Sequence, residues 1–158
     1  MNMNKHKNDD KHQLEKSYKL LILWLVSLFI FAGLFNTLLT RIGFQLSSKM
    51  TTIFWLYFTN LYFISILGMI YKTERVYYIN YITYKEARDA TGEERRAFAY
   101  KHLRVFIVAA IAFLFYSIPS LILQFPRGLD IGVFMGIMIV VAIRTVPFKL
   151  KENSQRIQ

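Results

Sequence analysis

Four long apolar runs constrain this chain more than anything else in it. Leu20–Leu39 is twenty residues without an acid or a base, bounded by Lys19 and Arg41. Wound as a helix at about 1.5 Å per residue, it covers the roughly 30 Å hydrocarbon core of a bilayer. Thr51–Tyr71 is a second such run and Val105–Phe125 a third. The fourth, Leu129–Phe148, is free of charge only over Ile131–Ile143. Asp130 and Arg144 are therefore expected near opposite interfaces, with Arg144 snorkelling. In hydrocarbon a segment must satisfy its own backbone polar groups, which a helix does alone. The expected fold class is an all-α integral membrane protein with four transmembrane helices arranged as two hairpins.

These runs divide the chain into a polar tail (1–19), a first transmembrane hairpin (20–71), an insert (72–104), a second hairpin (105–148) and a basic tail (149–158). Seventeen of the twenty Lys and Arg fall in the two tails, the insert and the end of the fourth run, counting Arg144. Only Arg41, Lys49 and Arg127 lie in the other two connections. The positive-inside rule then sets an N-in, C-in topology with a cytoplasmic insert. The same bias accounts for the net charge of +10, which in a soluble protein would suggest nucleic acid. No nucleic-acid partner is expected.

The run after Lys19 is long enough to span, and no small-residue cleavage site follows it, so it reads as a retained anchor. The first dozen residues read as a solvated tail in which His6 and His12 hold no metal. Heavy use of Lys, Asn, Ile, Tyr and Phe suggests an AT-rich bacterial genome, hence a multi-pass protein of the bacterial cytoplasmic membrane. The two hairpins run in the same direction, unlike an inverted-repeat transporter.

Within the insert, Arg75–Thr83 carries Tyr77, Tyr78 and Tyr81 among Val and Ile. It reads either as a strand or as a tyrosine-rich interfacial segment. Two capping boxes follow, Thr83 with Glu86 and Thr91 with Glu94. Each pairs a threonine N-cap with a glutamate at the third helical position. The first predicts a short helix ending near Ala90. The second predicts one helix from Gly92 to Phe125, about 51 Å long, whose first three turns leave the membrane. Pro119 lies inside it, with Ser117 and Ser120 beside it to compensate.

Candidate functional residues fall into three groups. Gly128, Gly132 and Gly136 repeat at four-residue spacing, and with Gly68 they favour close helix packing, inside the bundle or in a homo-oligomer. Asn60 is the most expensive polar placement in the second run. With antiparallel neighbours it is expected at the depth of Tyr116 and Ser117, near Ser120, where an interhelical hydrogen bond would fix the register. Arg88, Arg95, Arg96, Lys101 and Arg104 line the insert as a docking face for a protein partner or for anionic lipid. Glu93, Glu94 and His102 offer acid–base groups, yet Glu94 has a capping role and His102 lacks a relay partner.

No catalytic residues, cofactor or metal site are expected. There is no cysteine, no P-loop, no dinucleotide fingerprint and no H-E-x-x-H motif. The function expected is that of a non-enzymatic accessory, regulatory or immunity-type subunit acting through partner binding. The alternative is an oligomeric channel or small-solute transporter lined by Asn60, Ser65, Ser117, Pro119 and Ser120. A lipid-modifying enzyme using the insert is the remotest reading.

Overall fold

The computed structural model describes residues 15–42, 46–79 and 81–150, without the side chains of Asn36, Leu39 and Thr40. The expectations for residues 1–14 and for Lys151 and Arg156 lie outside them. The described residues are helical and contain no strand. The helices are α1 (Lys19–Arg41), α2 (Ser48–Thr73), α3 (Tyr84–Asp89), α4 (Gly92–Ile122) and α5 (Arg127–Thr145), with a 3₁₀ turn at Val76–Tyr78. Three of them, α2, α4 and α5, are long and apolar enough to cross a membrane. α1 is apolar over Lys19–Phe35.

α2, α4 and α5 form the packed centre. Tyr57 meets Ser117 and Tyr71 meets Tyr100, so α2 and α4 run antiparallel. Phe113 meets Phe134 and Tyr116 meets Asp130, which sets α5 antiparallel to α4. α1 leans on α2 through stacked rings, Phe31 on Phe58 at 4.6 Å and Phe35 on Phe54 at 4.4 Å. Its other side, including Leu23, Phe29 and Ile30, is exposed. An apolar surface of that kind suits lipid.

Both capping boxes form. Thr83 accepts from the Glu86 N–H and Thr91 from the Glu94 N–H, each at 3.2 Å, and both glutamates reach back to the cap. α4 is three residues shorter than expected. Its end is a left-handed cap, with Gln124 at φ 54° and the Phe125 N–H donating to the Ser120 carbonyl at 3.2 Å. At 31 residues it spans about 46 Å, so its first turns overhang a hydrocarbon core.

The continuous apolar core lies at the insert end, below the spans. Leu67 and Ile70 of α2, Val76 and Tyr77, Ala87, Ala90, Phe98, Ala99 and Leu150 are buried together. The bundle therefore carries a small globular head. The tyrosine-rich segment is not a strand: Val76–Tyr78 is a 3₁₀ turn. Tyr77 and Tyr78 turn back to receive the start of α1, and both hydroxyls donate to the Ser17 carbonyl. Burial pushes the Tyr77 hydroxyl up from its ordinary value, while the Ser17 N–H, which donates to its oxygen at 3.1 Å, pulls it down. Tyr18 packs edge-on against Tyr77 at 5.6 Å.

Candidate functional site

The head is closed by one ionic knot. Glu74 caps α2 in a left-handed conformation, φ 58°, which turns its carboxylate toward the start of α4. Arg95 Nε and Nη2 donate to Glu74 Oε2 at 3.2 and 2.7 Å. Arg96 Nη2 lies 2.7 Å from the other oxygen, Oε1. Arg95 Nη1 donates to the carbonyls of Ala87 and Ala90 at 3.2 and 2.6 Å. One guanidinium thus ties α2, α3 and α4 together and satisfies carbonyls at the end of α3 that no helical N–H reaches. Gly92 makes room for this approach, since a Cβ there would lie 3.0 Å from Glu74 Oε2.

The expected docking face divides accordingly. Arg95 is only 4% exposed and its guanidinium is committed to Glu74 and α3, so it presents no charge to a partner. Arg88, Arg96, Lys101 and Arg104 are exposed. Arg96 shares Glu74, and Arg88 Nε stands 3.8 Å from Asp89. His102 is buried, with Nδ1 at 3.0 Å from the Phe98 carbonyl and its ring against Phe148.

A second polar cluster sits at the opposite end of the bundle, and the sequence reading missed it. Ser47 caps α2, which begins three residues earlier than expected and draws Lys49 into its first turn. Asp130, in the first turn of α5, is fully buried. Tyr116 donates to Asp130 Oδ1 at 2.9 Å, and Ser120 donates to the same oxygen. Lys49 Nζ stands 3.4 Å from Oδ2 and also donates to the Phe125 carbonyl. Arg127 donates to Ser48, a second tie between α2 and α5. A signal existed: Asp130 is the sole acid in either apolar hairpin, and Lys49 lies at the same end.

Asn60 is fully buried, but its expected partner is taken. Tyr57 lies 2.8 Å from Ser117 Oγ and packs on Phe113, and Phe63 meets Phe106, so Asn60 does not lie at the depth of Ser117. Among the described residues neither its amide nitrogen nor its oxygen has a partner. Ser117 and Ser120 face inward while Pro119 faces outward, so the residues named as a channel lining do not share one face. A Cβ added to Gly68, Gly128, Gly132 or Gly136 would meet nothing within 4 Å. Among the described residues nothing packs closely against these glycines, and Gly128, Gly132 and Gly136 are exposed.

Tyr81 stands out on the head. It is 77% exposed and held at φ 81°, a conformation costly for a residue with a Cβ. It borders two grooves. One, of about 450 Å³, also includes Glu86, Asp89 and Lys149. The other, of about 400 Å³, includes Phe63, His102, Phe106 and Met138. Among the described residues no group of three His, Cys, Asp or Glu could hold a metal ion. Comparison with protein-family models, curated proteins and solved structures finds no match to this chain.

Proposed function

We propose that this chain is a non-catalytic, four-span membrane subunit, N-in and C-in, whose cytoplasmic head docks a protein partner in an accessory, regulatory or immunity-type role. The observation that carries the reading is Tyr81. A large aromatic side chain is held out from a head that is internally locked, in a backbone conformation that persists only where the surroundings impose it. An exposed tyrosine beside a largely apolar groove is of the kind that anchors a binding hot spot. Arg88 supplies an exposed cation on α3. The ordered head lowers the entropic cost of association, since its surface need not fold on contact.

Topology is tested first. The chain has no cysteine, so single cysteines at Ser47 and Arg88 report sidedness directly. They are expected to react with impermeant maleimide from opposite faces, and labelling from one face removes the four-span arrangement. A photoreactive residue at Tyr81 is then expected to give a discrete protein adduct in native membranes, lost with Arg88→Glu. The same probe at lipid-facing Phe115 should give lipid adducts only. The channel reading retains one observation, the unpartnered Asn60 amide. Solute flux by the purified chain in liposomes, abolished by Asn60→Leu, would replace the docking reading with it.

A further inference from the structure

We infer that the groove between α4 and α5 is a binding site for one anionic phospholipid, with its phosphate held between Arg104 and Arg144. The groove has a volume of about 410 Å³. Arg104 enters it from the start of the apolar part of α4, and Arg144 from the last turn of the antiparallel α5. Both are exposed. Neither guanidinium has a hydrogen-bond or ion-pair partner among the described residues, whereas Arg75, Arg88, Arg95, Arg96 and Arg127 each have one. Two helices thus bring two free guanidinium groups to the mouth of a single groove.

Below the mouth the lining is wholly aliphatic, including Val108 and Ala112 on α4 and Ile137 and Val140 on α5. From Arg104 to Ala112 is eight residues, or about 12 Å of helix, most of the roughly 15 Å depth of one leaflet. An acyl chain fits that shape and surface. No acidic residue lines the groove, so nothing in the wall competes for the arginines. A single snorkelling arginine reaches water and needs no ligand. Two arginines converging over hydrocarbon complement a phosphodiester, whose oxygens accept the paired N–H groups of a guanidinium. A lipid with net negative charge is favoured over a zwitterionic one, whose choline would bring a third cation to the same mouth. The inference does not depend on a protein partner at Tyr81.

The test uses the full chain in detergent micelles, with phosphatidylglycerol and phosphatidylcholine of identical acyl chains at equal concentration, read by native mass spectrometry. Phosphatidylglycerol adducts are expected to dominate. Each of Arg104→Gln and Arg144→Gln should lower the preference about fivefold, and the pair should abolish it. Lys72→Gln, exposed but outside the groove, should leave it unchanged. Ala112→Phe, which fills the groove without altering charge, should lower retention of both lipids. Unfolding temperatures without lipid should be unaffected, because none of these side chains has a packed partner to lose. Equal retention of the two lipids would overturn the inference, as would a loss as large with Lys72→Gln as with the groove variants. A lipid-free dimer dissociated by Ala112→Phe would assign the groove to a second copy of the chain instead.

Discussion

Replacing Arg95 with alanine is expected to destabilise the head by about 3–5 kcal/mol, the cost of breaking a buried ion pair from one side. Three losses coincide. Glu74 loses the donor to Oε2 and keeps only Arg96, whose side chain is largely exposed and screened. The Ala87 and Ala90 carbonyls lose their common donor, and a buried acceptor left unmade costs about 1–3 kcal/mol. A cavity opens where the guanidinium lay. Arg95→Lys should recover little, because one ammonium cannot serve a carboxylate and two carbonyls in that planar arrangement. Arg96→Ala should cost under about 1 kcal/mol. The measurement is thermal unfolding of the purified chain in detergent, beside hydrogen exchange over residues 84–99. If Arg95→Ala and Arg96→Ala prove equally mild, the knot does not hold the head together.

The contrast between the two arginines shows what could be read from the chain and what could not. The capping boxes are local. Thr and Glu three residues apart meet whatever surrounds them, so both helix starts in the insert were legible. The apolar runs were legible for a similar reason, since a bilayer excludes charge at every position of a run alike. Arg95 and Arg96 are neighbours with the same side chain, yet they point about 100° apart on a helix. Only the position of Glu74, beyond the end of another helix, decides which of them is buried. Asn60 shows the same dependence on register. Its depth was judged from the limits of the charge-free runs, which set the length of each helix and not how two helices meet. Tyr57 rather than Asn60 reaches Ser117. The tyrosine-rich segment has strand-like composition, but its hydroxyls answer to carbonyls at residues 15–17, some sixty residues away. The glycines mark where a helix can be approached closely and say nothing of whether this chain provides the helix that does so.

The pair Lys49 and Asp130 should behave as one unit. Asp130 is enclosed by Lys49, Tyr116 and Ser120 at 0% exposure, and the Lys49 side chain is 10% exposed. Taking both charges into a poorly solvated site is expensive, and their attraction largely offsets that cost. Lys49→Met alone is expected to destabilise by about 3–5 kcal/mol, because it strands a carboxylate with two neutral donors. Asp130→Leu alone should cost a similar amount, stranding the ammonium and the Tyr116 and Ser120 hydroxyls. The double variant Lys49→Met with Asp130→Leu should cost far less than the sum of the two, leaving an interaction term of about 3 kcal/mol or more. Unfolding in mixed micelles supplies all four corners of the cycle. The sign of the remaining difference separates two roles for the pair. A double variant as stable as the parent, with α2 and α5 still labelled from the same faces, means that the ion pair fixes register without adding net stability. Additive single effects would mean that Lys49 and Asp130 do not interact in the membrane, and that the Arg127–Ser48 contact holds α2 to α5 at this end.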